Sequence, residues 1–296
     1  MKKRVLVSGV SSVIGQSLVQ RLQAAGYSVV QLSRKTSDDT DHCQWDFSTQ
    51  GLADTSLPKN ILTHGAIDAL VHCAPIWLLP DHLLALGRLG VHRVIAFSST
   101  SIDGKSRSNN PHDQEIVQLL QKAESDAWRQ VKNARINLSI FRPTMIYGYG
   151  QGANLAFIAN VIQRFGFFPI VTGAIGLRKP VHADDLANAV CLAIFNQDSY
   201  GKTYNLSGSE ELSYEQMVQR LFQVLGKKPK LVKLPLPIYR GVIALIVRVT
   251  KMSVNPSMAD RMREDLNFDS TAAENDFAYD PGEFLPNGAQ DIMRDK

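Results

Sequence analysis

Val5-Leu6-Val7-Ser8-Gly9-Val10-Ser11-Ser12-Val13-Ile14-Gly15 places a β-branched apolar run, a Gly/Ser turn and the start of a helical pattern within fifteen residues. Gly9 permits the tight turn, and Gly15 permits close packing of the new helix on the strand before it. The helix aims its free N–H groups and the positive end of its dipole at whatever sits over the turn, so an anion such as a pyrophosphate suits the place. The middle glycine of the usual phosphate-binding fingerprint is Ser12 here. A Gly-rich turn alone is weak evidence, and a purely structural turn is the alternative. Its position between a predicted strand and a predicted helix is the context that favours dinucleotide binding.

Working outward, short β-branched runs alternate with helical patterns: Val5 to Ser8, Val13 to Ala25, Tyr27 to Leu32, Ala69 to His72, Val91 to Phe97 and Leu138 to Phe141. That alternation predicts an α/β fold, a Rossmann-like doubly wound parallel sheet covered by helices. In the first helix Ile14, Leu18, Val19 and Leu22 share a face, and Gly26 marks its end. A longer helix is predicted from Asp113 to Lys132, with Ile116, Leu119, Leu120, Ala123, Ala127 and Trp128 inward. After Pro143 the texture loosens, with Gly148, Gly150, Gly152, Gly166, Gly173 and Gly176 before Pro180, which reads as a loop-rich lobe. Residues 1–147 and 181–206 are therefore assigned to the sheet domain. Residues 148–180 and 207–296 are assigned to a smaller, discontinuous substrate lobe.

Composition narrows the function. The chain has 296 residues, 44% hydrophobic and 20% charged, which is enough apolar material for a substantial core. Neither a signal peptide nor a run of about 20 apolar residues is visible, so no membrane span is expected. Cys43, Cys73 and Cys191 are dispersed, which excludes a disulfide framework or a cysteine zinc site and points to a reducing cytoplasm. A net charge of +4 is too weak to imply nucleic acid without a basic stripe carrying stacking aromatics. Charge is segregated late: Lys227 to Lys251 holds seven basic residues and no acidic one, while Asp260 to Lys296 holds ten acidic against four basic. The basic run reads as a solvated face, as neutralisation of a substrate pyrophosphate, or as an interfacial helix in which Gly241 to Val247 lies between Arg240 and Arg248.

The second strand should end beside the adenosine ribose, where an acid accepts from a 2′-hydroxyl and a cation accommodates a 2′-phosphate. The residues there are Ser33-Arg34-Lys35. Two cations and a hydroxyl favour NADP over NAD; the alternative is an exposed basic turn.

The chain also resembles the extended short-chain dehydrogenase/reductases, in the NAD-dependent epimerase/dehydratase branch. The resemblance rests on Ser-Gly-x-x-Ser-x-x-Gly at the N-terminus, Asp46-Phe47, Val71-His72-Cys73-Ala74, Phe97-Ser98-Ser99, Arg142-Pro143 with Tyr147-Gly148, Pro180 to Ala187 and Gly201 to Leu206. It implies that Gly9, Ser11, Ser12, Val13, Ile14 and Gly15 hold the pyrophosphate, with Asp46 and Phe47 beside the adenine. Cys73, Ala74 and Pro75 would line the ribose side, Ser98 and Ser99 would sit behind the nicotinamide, and Pro143 would begin the segment over its ring. Thr100 would lie nearest the family's catalytic hydroxyl, and His182 near the mouth between the lobes, as a substrate contact. A small-molecule substrate, a nucleotide-sugar or similar carbonyl compound, is implied, as is a homodimer through the helix around 113–132.

One departure stands out. The family's Tyr-x-x-x-Lys pair trades a proton with a carbonyl or alcohol. None of the eight tyrosines is followed four residues later by lysine. If Glu124 is the acid that usually follows the pair, its two positions are Ile116 and Leu120. Two readings remain: an atypical reductase or epimerase whose proton is moved by Thr100, Tyr147, Lys122 or His182, or a non-catalytic NADP(H)-binding sensor or scaffold. The seven histidines are scattered without metal-ligand spacing, so no metal is expected, and there is no Gly-x-Ser-x-Gly elbow or Walker loop. Asp184-Asp185 reads as a pair of carboxylates favouring a helix N-terminus.

Overall fold

The computed structural model describes residues 2–34, 41–48, 61, 65–106, 108–250 and 258–293. They divide into two compact units. Unit 1 comprises residues 1–143, 183–206 and 269–280. Its strands are β1 (Arg4–Ser8), β2 (Ser28–Ser33), β3 (His42–Gln44), β4 (Ala69–His72), β5 (Arg93–Phe97), β6 (Asn137–Pro143) and, later in the chain, β11 (Lys202–Leu206). They form one parallel sheet in the order β3-β2-β1-β4-β5-β6-β11. Chain order reverses at β1, which pairs with β2 on one side and β4 on the other. In open α/β sheets ligands bind at the carboxyl ends of the strands at such a reversal. The doubly wound fold expected from the alternation is therefore present.

The helices of unit 1 are α1 (Val13–Ala24), α2 (Leu83–Arg88), α3 (Ser101–Gly104), α4 (Pro111–Ala134), α6 (Ala183–Ala193) and α10 (Thr271–Phe277). α1 starts where the sequence says it should, because the Ser12 hydroxyl accepts from Gly15 N–H at 3.0 Å as an N-cap. It buries Ile14, Leu18 and Leu22. Asp184 opens α6 and takes the Ser17 hydroxyl and, at 3.2 Å, the Arg21 guanidinium, so it joins α6 to α1. Beneath one face of the sheet Leu6, Leu70, Val94, Leu138 and Ile140 form a core with Leu120, Ala123, Ala127 and Val131 of α4.

α4 differs from the sequence reading in its inward face. Leu119 is 38% exposed, while Asp113 and Glu124 are buried. Each buried carboxylate is paired: Asp113 with Lys105 at 3.0 Å and the Ser108 hydroxyl at 3.0 Å, and Glu124 with Arg142 and the Ser98 hydroxyl. Partners that satisfy both charge and lone pairs let an acid occupy an inward position.

Unit 2 comprises residues 144–182, 207–268 and 281–296. Where glycines suggested a loop-rich stretch, it forms a thirteen-residue helix, α5 (Ala153–Phe165), bounded by Gly152 and Gly166 in left-handed conformations. The glycines thus punctuate a helix rather than dissolve one. Three short strand pairs follow: β10 (Val181–His182) on β7 (Ile146–Tyr147), β12 (Leu212–Ser213) on β9 (Leu177–Arg178), and β13 (Leu231–Leu234) on β8 (Phe168–Val171). α7 (Tyr214–Val224), α8 (Leu236–Thr250) and α9 (Met258–Arg261) complete the unit. Its core draws on Phe157, Ile158, Ile162, Phe168, Met217, Leu221, Phe222 and Tyr239.

Residues 269–280, assigned from sequence to the second lobe, pack in unit 1 instead. Phe277 of α10 stacks on Phe141 and meets Tyr204 edge-on, and Asp276 accepts from the Tyr204 hydroxyl at 2.6 Å and Lys202 at 2.7 Å. An aromatic plug with an ion pair covers the β11 side of the sheet.

Candidate nucleotide site

A cavity of about 370 Å³ opens at the sheet reversal in unit 1. That is within the range of small-molecule pockets. Its wall gathers the turn after β1 (Ser8 to Ser12), the end of β2 (Leu32 to Arg34), Trp45 to Ser48 after β3, and Cys73 to Pro75 after β4, with Leu78. Four segments distant in sequence converge because their strands are neighbours whose carboxyl ends point the same way.

Backbone geometry makes the floor. Gly9 sits at φ +72°, and a Cβ there would lie 2.6 Å from Ala74 N and Cys73 C. A Cβ on Gly15 would lie 2.5 Å from Gly9 O. The β1 turn, the β4 turn and α1 are therefore in mutual backbone contact, and only glycine fits at the two crossings. α1 carries no acidic residue in its first turn, so the helix end that faces this turn is left positive. These features fit a diphosphate held by backbone N–H groups at the turn.

Beneath the cavity lies a wire that the sequence alone did not reveal. Ser8 and His72 are paired across β1 and β4, and the Ser8 hydroxyl lies 2.7 Å from His72 Nδ1. His72 Nε2 lies 3.2 Å from Pro75 O, an acceptor only. Nε2 therefore carries the proton, Nδ1 accepts from Ser8, and the imidazole ties the β4 turn to the β1 turn. Full burial pushes the His72 pKa down to about 4, with the hydrogen bond to Pro75 opposing and His82 adding to the fall. Beside it Trp45 and Phe47 stack at 4.7 Å, and His82 Nε2 holds Phe47 O at 3.2 Å with its ring 4.6 Å from Phe47. Trp45, Leu32 and Ser48 belong to this wall; the one signal for them was proximity in sequence to Asp46-Phe47 and Ser33.

A pH prediction follows from His72. Its folded pKa lies below the unfolded value, so the unfolded chain binds more protons between pH 6.5 and 4. The contribution of neutral His72 is present above pH 6.5 and is lost as pH falls towards 4. A drop of some 2.5 units corresponds to about 3 kcal/mol. Chemical denaturation of wild type and His72→Gln between pH 4 and 7 should show the slope in wild type and a flatter line in the variant; equal slopes would count against it.

The remaining expected positions divide as follows. Ser33 bonds His42 Nε2 at 2.8 Å, and Arg34 is exposed at the cavity rim. Lys35 lies outside the described residues. The Asp46 carboxylate accepts from the Ser48 hydroxyl at 2.6 Å and Ser48 N–H at 2.8 Å, bonds that hold its pKa down, with Arg34 adding to the effect. Ser11 and Ser12 line the cavity; Val13, Ile14 and Gly15 form the first turn of α1 and do not line it. Ser98, Ser99 and Pro143 lie at the ends of β5 and β6, away from this wall. The Ser98 hydroxyl donates to Glu124 at 2.5 Å, and Ser99 Oγ accepts from Ser101 N–H at 3.1 Å. The Thr100 hydroxyl is buried and donates to Pro143 O at 3.1 Å.

Tyr147 and His182 belong to unit 2. The Tyr147 ring is fully buried, and its hydroxyl accepts from Leu285 N–H at 3.0 Å. His182 is 3% exposed and bonds Asp291 Oδ1 at 3.1 Å, with its ring 5.1 Å from that of Tyr147. On α4 Leu120 is buried in the unit 1 core and Ile116 packs against it, so neither position of the Tyr-Lys pair holds a polar group. Unit 2 has a second, smaller cavity of about 40 Å³ lined by Met145, Asn154, Arg178, Tyr214 and Arg261 among others. The buried Arg178 guanidinium donates to Leu177 O at 2.7 Å and Glu264 O at 2.6 Å, and burial lowers its pKa to about 10. Among the described residues no cluster of His, Cys, Asp or Glu could hold a metal.

Comparison with known proteins gives matches in sequence and in fold. Residues 5–77, the segment from β1 past the β4 turn, match the model of the NAD dependent epimerase/dehydratase family. The mitochondrial NADH dehydrogenase [ubiquinone] 1 alpha subcomplex subunit 9 of Arabidopsis thaliana is 28% identical over 124 residues, 42% of this chain and 31% of that protein. UDP-glucose 4-epimerase of Vibrio cholerae is 23% identical over 210 residues, 67% of this chain and 61% of that protein. The chain thus spans about a third to three fifths of the length of these two relatives. Among solved structures, MoeE5 in complex with UDP-glucuronic acid and NAD superposes with a TM-score of 0.72 at 19% identity, covering 98% of this chain and 97% of that one. Residues 5–77 thus resemble the epimerase/dehydratase family in sequence, and the chain shares the fold of MoeE5.

Proposed function

We propose that this relative of the NAD dependent epimerase/dehydratase family binds NADP(H) in the unit 1 cavity and works as a reductase or epimerase of a nucleotide-linked sugar or similar carbonyl compound. One observation carries the reading: the turn after β1, the end of β2, Asp46-Phe47 and Cys73 to Pro75 line a single cavity at the sheet reversal. In this reading Gly9, Ser11 and Ser12 cradle the diphosphate, Trp45, Asp46 and Phe47 flank the adenine, and Arg34 takes the 2′-phosphate. The bound nucleotide supplies hydride transfer. The chain binds and orients it, and excludes water from one side with Leu32, Trp45 and Phe47. The NAD in MoeE5 argues for the dinucleotide; Arg34, at the rim with no acid on the end of β2, argues for the phosphorylated form. The cytoplasm is the compartment this chemistry suits, and no helix among the described residues is long and apolar enough to cross a membrane.

Arg34→Ala should raise the dissociation constant for NADPH about tenfold and change that for NADH less than about threefold, because only one carries the phosphate. Fluorescence titration of both nucleotides reads the ratio; equal weakening would contradict the NADP assignment.

A second reading, a nucleotide-holding sensor or scaffold, is favoured by the apolar Ile116 and Leu120 together with the engaged hydroxyls of Thr100 and Tyr147. NADPH oxidation across a panel of keto-sugar nucleotides separates the two. Turnover of any member supports the enzyme, and tight nucleotide binding with no turnover supports the sensor.

A further inference from the structure

α8 has two apolar faces. Tyr239, Ile243 and Ile246 are buried in the core of unit 2. Ile238, Leu245 and Val249 recur at helical spacing on another side and are 55%, 63% and 46% exposed, with Val242 half-buried between them. The helix contains no acidic residue, and Arg248 is exposed three residues from Leu245, on the neighbouring flank.

The chain around α8 is one-sided in charge. Of the seven basic residues between 227 and 251, Lys251 lies outside the described residues, Lys227 caps the end of α5 through Ile162 O and Gln163 O, Lys233 meets Glu215 at 3.0 Å, and Arg240 meets Asp260 at 3.1 Å. Lys228, Lys230 and Arg248 are exposed and have no acidic partner among the described residues. An exposed apolar stripe beside an exposed arginine, in a run from Lys227 to Lys251 without an acidic residue, is the pattern of a helix lying on an anionic lipid surface.

We infer that the outer face of α8 docks this protein onto an anionic membrane surface. Ile238, Leu245 and Val249 enter the boundary between headgroups and acyl chains. Arg248 takes up lipid phosphates, and the remaining bases of the acid-free run add longer-range attraction to the surface. A second copy of the chain fits the face poorly because the face is small: the stripe is only three to four side chains wide, short of the roughly 800 Å² per partner of a stable protein interface. The inference stands apart from the nucleotide site and survives if that reading fails.

Co-sedimentation of the full chain with vesicles tests it. The protein should pellet with vesicles of equal parts phosphatidylcholine and phosphatidylglycerol and stay in solution with phosphatidylcholine alone. The neutral double variant Leu245→Gln/Val249→Gln should bind the mixed vesicles about tenfold more weakly, with an unchanged melting temperature. Arg248→Gln should weaken binding too and reduce its salt sensitivity. Three results would overturn the inference: no pelleting with the mixed vesicles, equal binding by the double variant, or a parent that elutes as a dimer which the double variant converts to a monomer.

Discussion

Arg93→Met should unfold with a midpoint about 8 °C below wild type, a loss of about 4 kcal/mol at about 2 °C per kcal/mol for a chain of this size. Arg93 starts β5 and has no exposed surface. Its guanidinium donates to Ile194 O at 2.8 Å, Ala193 O at 3.2 Å, Asn137 O at 3.1 Å, Val94 O at 3.3 Å and Ser199 Oγ at 2.9 Å, and it lies over the Tyr200 ring at 4.5 Å. No carboxylate takes part in these contacts. The charge is balanced by carbonyl dipoles, including two at the C-terminal end of α6, where the macrodipole is negative. Burial pulls its pKa down to about 10, so the group stays a cation at neutral pH. Methionine fills much of the volume and removes the guanidinium donors, each acceptor left bare costing about 1–3 kcal/mol before relaxation, while Ala193 O keeps Asn196 N–H at 3.2 Å. Arg93→Lys should fall between, since one ammonium cannot span a fork of five acceptors. Thermal denaturation ranks the three proteins; equal midpoints would show that the carbonyls find water instead.

Gly9→Ala should abolish nucleotide binding, with at least about a hundredfold loss of affinity, equivalent to about 2.7 kcal/mol. The residue combines φ +72° with a would-be Cβ 2.6 Å from the backbone of the β4 turn. Left-handed strain alone costs about 1–3 kcal/mol, and the clash moves the turn proposed to hold the diphosphate. Gly26→Ala is the matched control: it also has positive φ, but nothing lies within 4 Å of its Cβ site and it is not in the cavity wall. Calorimetric titration with NADPH should find binding in Gly26→Ala and none in Gly9→Ala. Retained affinity in Gly9→Ala would place the nucleotide elsewhere.

The strand, turn and helix at residues 4–24 were legible because the local signals agreed: a β-branched run, a glycine at the turn and an apolar stripe at helical spacing closed by Gly26; the Ser12 N-cap came only with the structure. Asp46-Phe47 and Cys73 to Pro75 were expected beside that turn only through the family resemblance, and the sheet order β3-β2-β1-β4 brings their strand ends to one cavity wall. What could not be read depends on pairs far apart in sequence. Ser8 and His72 are 64 residues apart, and nothing local marks that histidine as a strut. Arg93 read as an ordinary strand residue because its acceptors are backbone carbonyls contributed mainly by residues 137–199. Asp113 and Glu124 broke the apolar stripe of α4 because their partners come from the loops after β5 and from β6. In unit 2, α5 was hidden by flanking glycines that cap it.

A thermal-shift titration of the intact chain with NADPH, with NADH and without ligand tests the central claim most directly. A ligand at 100 times its dissociation constant stabilises the folded state by about 2.7 kcal/mol. The melting temperature should rise with NADPH, and rise less with NADH at the same concentration. No shift with either nucleotide would contradict it and leave the turn after β1 as a structural joint between strand and helix.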